Sequence, residues 1–278
     1  MKKYALCLII TVMMVGCSNN GETIAERIQK TVEAQNIAPP QQADFKKQLP
    51  DLSPEFLQQT AQHHNDPILY QKNLGKTYYY TVDGNLTDKP QPQGFYRQVM
   101  GMTNNGLTVV QDFYQNSKQP QTAVFTIKRG GDETSFDTKE ANGRMIWFEP
   151  TGELSKLQEI ANGQPVGYSI LFKDKSILAM VAVGENKYCF FHPHSQTILA
   201  YIETLKQNPQ MTDMTLFRAD GSAIIKSQRD TQGQWHHVAA WDEKGKSVKP
   251  KKVATEADKL FEQAKADMKQ LIQYAKVT

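Results

Sequence analysis

Three cysteines, at positions 7, 17 and 189, are all that the 278 residues contain, and that scarcity excludes a fold stapled by a disulfide framework. The leading apolar run, Tyr4 to Val15, is shorter than the about twenty residues of a spanning helix, so composition and length exclude a polytopic helical membrane protein. A dominant charge is missing too. There are 32 basic and 29 acidic side chains, whereas a nucleic-acid binder shows a strong basic patch. No Gly-x-Ser-x-Gly elbow, no His-Glu-x-x-His and no phosphate-binding Gly-rich loop occurs. What remains is an ordinary globular composition, 39% hydrophobic and 22% charged, at a length that suits one sizeable β domain or two small ones.

The first residues set the compartment. Lys2 and Lys3 precede the apolar run, which ends in Gly16-Cys17, the layout of a signal peptide. Met14-Val15-Gly16-Cys17 resembles the lipobox of bacterial lipoproteins, with Met14 where Leu is usual. The resemblance implies cleavage before Cys17, acylation of its thiol and a membrane partner held through that lipid anchor. Ser18 follows where inner-membrane lipoproteins resemble one another in carrying Asp, so the outer membrane is the expected location. Stable anchoring needs more than one acyl chain. With Cys7 removed and Cys17 acylated, Cys189 is the single thiol left, and no internal disulfide forms.

Residues 18–75 read as a tether with short helices. Ile24, Ile28 and Val32 share a helical face behind a Thr23/Glu26 capping box, and Ser53-Pro54 opens a second short helix. Between them, Pro39-Pro40 and Gln41-Gln42 mark residues 35–52 as linker.

From residue 76 to 252 the pattern turns extended. Thr77–Val82, Leu107–Val110, Ala123–Ile127 and Ser176–Val181 are β-branched and aromatic runs bounded by turn residues. An apolar, usually aromatic residue recurs with Gly or Ser four positions later, as in Tyr80/Gly84, Met102/Gly106, Phe113/Ser117, Phe148/Gly152, Phe172/Ser176, Phe191/Ser195, Phe217/Gly221 and Trp241/Gly245. An aromatic at a strand end followed by a residue tolerant of positive φ suits one hairpin per unit. The fold expected is mainly β, an antiparallel hairpin-repeat sheet with short N-terminal helices and a C-terminal amphipathic helix, with Phe148, Phe172, Phe217 and Trp241 facing one core. The unit Gly143–Leu154, followed by Asn162-Gly163-Gln164-Pro165-Val166-Gly167, resembles the MORN-like repeats of YwqK-type antitoxin-component proteins over roughly 102–248. Ser117, Ser176 and Ser195 depart from that pattern by replacing Gly. The resemblance implies a hairpin array that acts by binding, with no catalytic residues to carry over.

In 253–278, Ala257, Leu260, Phe261, Ala264, Met268, Leu271, Ile272 and Ala275 form one stripe of a helix over Thr255–Val277, expected to cover the sheet. Lys244, Lys246, Lys249, Lys251 and Lys252 precede it as a basic patch.

For chemistry, Cys189, His192 and His194 form a C-x2-H-x-H cluster whose thiolate and imidazoles suit zinc or copper. His63, His64 and Asp66, or His236 and His237, are the remaining ligand candidates. The spacing matches no common closed zinc site, and neighbouring strand residues point to opposite faces. The expectation is a structural thiol and surface imidazoles, with no metal or other cofactor. Three roles compete: a non-enzymatic, lipid-anchored envelope protein that binds another protein through the sheet, with toxin neutralisation as the candidate task; an envelope structural or lipid-handling protein; and a metal-dependent envelope enzyme. The first is favoured, with a protein partner and no nucleic acid.

Overall fold

A computed structural model describes residues 38–49, 75–205 and 208–276. The signal peptide expected at residues 1–17, with Cys17, the helices expected at 23–34 and from Ser53, and His63, His64 and Asp66 lie outside the described residues. The described chain is mainly β, its neighbouring strands pair antiparallel, and a helix ends it.

Contacts divide the chain at Gly184/Glu185, inside the stretch 76–252 that the sequence suggested was one array. The first unit holds β1 (Thr77–Tyr80), β2 (Leu86–Thr87), β3 (Phe95–Met102), β4 (Thr108–Tyr114), β5 (Phe125–Ile127), β6 (Ala141–Phe148), β7 (Leu154–Ala161), β8 (Gln164–Lys173) and β9 (Ser176–Ala182). Its strand order is β2-β1-β3-β4-β5-β6-β7-β8-β9, so apart from β2, which folds back on the outer side of β1, the sheet grows strictly in sequence. The second unit holds α1 (Gln42–Lys46), β10 (Lys187–Phe191), β11 (Ile198–Leu205), β12 (Asn208–Phe217), β13 (Ala223–Arg229), β14 (Trp235–Ala240) and α2 (Ala254–Lys276). Its strands also follow one another as antiparallel hairpins.

The spacing of an apolar residue and glycine resolves into one recurring turn. At Thr81–Gly84, Thr103–Gly106, Glu149–Gly152, Arg218–Gly221, Asp230–Gly233 and Asp242–Gly245 the glycine N–H donates to the carbonyl three residues earlier. That earlier residue donates its own N–H to the carbonyl just past the glycine. The six glycines have φ between 74° and 91°, the left-handed region that side chains disfavour. Where the sequence has serine, the left-handed residue falls elsewhere: Lys118 (φ 59°), Asp174 and Lys175 (49° and 61°) and His194 (56°). Those three units use other turns. Asn162-Gly163 closes β7 to β8, and a Cβ on Gly163 would overlap the Lys139 carbonyl, so glycine is required there for space as well as for φ.

The second unit is covered on both sides. Ile198 to Ile202 on β11 are buried without a break, and the loss of alternation marks a strand with both faces shielded. Part of the cover is α1, in the stretch read as linker. Phe45 sits 4.5 Å from the Tyr201 ring and 5.5 Å from Phe217. The Gln42 amide donates to the Ile198 carbonyl at 3.0 Å and accepts from its N–H at 3.1 Å, pairing as another strand would. One aromatic and one amide thus override the local Pro and Gln signals. Helix α2 begins one residue earlier than the spacing suggested, and Val253, Ala254, Ala257, Phe261, Ala264 and Met268 are buried while Leu260 is half-buried. Arg218, at the end of β12, ties the helix down by donating to both Glu256 oxygens at 2.9 and 3.1 Å.

The expectation that four aromatics face one core needs correction. Phe172 is buried in the first unit and Phe217 and Trp241 in the second, while Phe148 is only half-buried. A shared sequence period fixes where a residue falls in its hairpin, and not which hydrophobic cluster it joins.

Candidate functional site

Val99, Val110, Phe125, Ile127, Met145, Trp147 and Ile160 build the core of the first unit, and two charges sit among such residues. Arg97 on β3 lies opposite Asp112 on β4. It donates from Nε to Oδ1 at 2.6 Å and from Nη2 to Oδ2 at 2.8 Å, with both side chains about 3% exposed. Its Nη1 donates to the carbonyls of Glu133 and Ser135 at 3.2 and 2.7 Å. The rings of Tyr80, Phe125 and Phe136 stand 5.3–5.8 Å from the guanidinium carbon. Burial pulls the guanidinium pKa down, but the Asp112 charge and hydrogen bonds outweigh it and hold it above its ordinary value.

These bonds fasten residues 128–140 as a strap. Glu133 within it accepts from Lys76 Nζ at 2.7 Å and from the Tyr78 hydroxyl at 2.6 Å, which lowers its carboxyl pKa against the pull of burial. Phe136 packs between Tyr80 and Phe95, at 4.6 and 5.3 Å. A cavity of about 30 Å³ remains beside Arg97, Asp112, Gln121, Phe136, Met145 and Trp147, room for about one water. Lys156 Nζ stands 4.6 Å from the Trp147 ring and is buried, which pushes its pKa down to about 8. With Arg97 and Asp112 committed to each other, the arrangement is a latch for the strap.

The metal candidates are not brought together. Cys189 is 1% exposed and burial pushes its thiol pKa far up, so it is no thiolate. His192 Nε2 lies 2.9 Å from the Phe217 carbonyl, and His194 is exposed in its turn. His236 Nε2 lies 2.6 Å from Asp230, while His237 Nδ1 lies 2.9 Å from Ser227 Oγ and burial pushes that imidazole down to about 4. Among the described residues no group of three or more His, Cys, Asp or Glu converges as a metal site.

The opposite face of β1, β3 and β4 is different. Tyr79 pairs with Tyr96 and Tyr96 with Phe113, a row on the face away from Arg97. The Tyr96 and Phe113 rings stack at 5.0 Å and 11°, with Lys118 Nζ 5.1 Å from Tyr96. All three rings are half-buried, Gln98 in the next row is exposed, and Gln111 opposite it is half-buried. In the β1–β2 hairpin Val82, in the turn, and Leu86, which pairs with Tyr80 and so shares the Arg97 face, are 57% and 56% exposed. Rigid aromatics and amides on a fixed sheet can bury area against a protein at little entropic cost. This row was not expected from the sequence alone. Its signal was Phe95-Tyr96-Arg97-Gln98, where an aromatic and an amide alternate with the buried charge.

No family model matches the chain. No curated protein matches it either.

Proposed function

We propose that this chain is a lipid-anchored protein of the bacterial cell envelope that acts without catalysis, binding another protein through its hairpin sheet in the manner of an immunity protein that neutralises a toxin. One observation supports the reading most: the half-buried row Tyr79, Tyr96 and Phe113 beside exposed Thr77 and Gln98 on the same face. Tyrosine-rich patches with a rim of amides are the composition of protein-recognition surfaces, and the short β2 leaves a sheet margin of the kind that peptides extend. The lipobox-like Cys17 and the repeat resemblance point the same way. The outer membrane is the proposed location.

The test is co-purification of the lipidated protein from mildly solubilised envelopes, beside a Tyr96→Ala/Gln98→Asp variant. A stoichiometric partner that the wild type retains and the variant loses, with melting of the variant preserved, supports the reading. Recovery of the same proteins by both removes this surface from the account.

A further inference from the structure

The function proposed above leaves one charged surface unused. Lys244, Lys246, Lys249, Lys251 and Lys252 lie between β14 and α2, all five exposed, and among the described residues none is held in an ion pair. Two carboxylates share the segment. The Asp242 Oδ1 accepts the backbone N–H groups of Lys244 and Lys246 at 3.0 and 2.9 Å, so it is turned into its own loop and leaves Glu243 as the exposed counter-charge.

The segment is also fixed in shape. Trp241 bridges to Ser247, the Val248 N–H donates to the Ala240 carbonyl, and Pro250–Lys252 forms a 3-10 turn leading into α2. The lysines are therefore concentrated on a short rigid stretch. Their placement opposes folding stability, because Lys251 and Lys252 stand at the start of α2, where the helix dipole favours negative charge. The acidic residue of that first turn, Glu256, is already engaged by Arg218. Lysines placed against the dipole and without partners are explained by something outside the fold.

The position of the tether supplies the partner. Gly245 in this turn lies against Pro39, close enough that a Cβ there would stand 3.5 Å from Pro39 Cγ. Pro39 is 22 residues after Cys17 (39 − 17 = 22), so the lysine turn flanks the part of the second unit where the chain from the proposed anchor enters. Ammonium groups near a bilayer are attracted to anionic headgroups within a Debye length of the surface.

We propose that the turn carrying Lys244, Lys246, Lys249, Lys251 and Lys252 is a docking surface for the phosphate-bearing headgroups of an anionic bilayer, orienting the protein on the membrane to which Cys17 anchors it. This rests on the lipid-anchor part of the proposed function. The second signal strengthens a lipid anchor in the way a polybasic patch does.

The test uses the full mature chain with Cys17→Ser, so that no lipid masks the effect, sedimented with phosphatidylcholine vesicles containing or lacking phosphatidylglycerol. Binding is expected to the anionic vesicles alone, to fall by about tenfold or more when the five lysines become Gln, and to vanish at high salt. Arg in place of the five lysines should restore it. Melting of the Gln variant should match or exceed that of the parent, since two charges leave the helix start. Equal vesicle binding by parent and Gln variant, or none by either, overturns the proposal. So does displacement by inorganic phosphate beyond that by chloride at equal ionic strength, which would mark a discrete phosphate site. Mass spectrometry of wild-type Cys17 separates the two ideas: lysine-dependent vesicle binding with an unmodified Cys17 sinks the anchor and keeps the surface, whereas an acylated Cys17 with lysine-independent binding does the reverse.

Discussion

The unit of β10–β14 and the unit of β1–β9 are made from the same hairpin turn but spend their interiors differently. In the second unit β11 is buried on both faces, with Phe45 of α1 on Tyr201 and Phe217, and a buried stripe on α2. In the first, a bidentate Arg97–Asp112 pair and the ammonium of Lys156 are buried, and aromatic rings stay half-buried on the opposite face. Buried ion pairs add little net stability compared with apolar residues of the same volume. The contrast teaches that the second unit is built mainly for stability, whereas the first gives some up to fix a strap and keep the aromatic face rigid.

The largest expected effects test that division. Trp241, fully buried in the second unit, should cost about 3–5 kcal/mol when cut to Ala, read by chemical denaturation. A loss under about 1 kcal/mol would mean that the second unit's apolar core is not the more stable one. In the first unit, Asp112→Ala leaves the Arg97 charge buried and alone, and should cost about 3 kcal/mol or more. An apolar pair, Arg97→Met with Asp112→Leu, should recover most of that loss while hydrogen exchange in residues 128–140 speeds up, because Arg97 also holds the Glu133 and Ser135 carbonyls. Unchanged exchange in the strap would show that the pair does not latch it.

Smaller effects come from titration. Lys156 is lowered from 10.5 to about 8 by burial, so the unfolded chain binds its proton more tightly. Stability from this group is fully present above pH 10.5 and lost as pH falls through 8. Lys156→Met should therefore stabilise the first unit at neutral pH by about 1–2 kcal/mol and flatten the rise between those pH values. A destabilised variant would show that the ammonium–Trp147 contact outweighs desolvation. His237 is likewise lowered by burial, from 6.5 to about 4. Its contribution is present above pH 6.5 and lost as pH falls towards 4. His237→Asn should remove that part of the acid-side slope in the second unit, and an identical slope would place the titration elsewhere.

How much the sequence disclosed follows from how local each signal is. The C-terminal helix was legible because its stripe repeats on the helical period over many residues, and hairpins closed by Gly84, Gly152 or Gly221 because the needed φ is written in one residue type. The docking of α1 was not, since Gln42 pairs with Ile198, 156 residues away. Arg97 and Asp112 are 15 apart on adjacent strands, and as single charges in alternating runs they look like surface residues until the register is known. Cys189, His192 and His194 show the opposite case: close in sequence, they do not converge, with Cys189 and His192 buried and His194 exposed in its turn. The aromatic row was half legible, as Tyr79 and Tyr96 were visible but their cross-strand alignment was not.

The central claim is that the margin formed by β1–β4 of the first unit meets a protein partner in the envelope. Site-specific photo-crosslinking in living cells tests it, with the reactive side chain placed at Thr77 or Gln98, both exposed on the face of the aromatic row, or at Lys175, whose side chain is 81% exposed in the β8–β9 turn. The account predicts one discrete protein adduct from Thr77 and Gln98 and none from Lys175. Adducts of equal yield from all three positions, or none from Thr77 and Gln98, would contradict it.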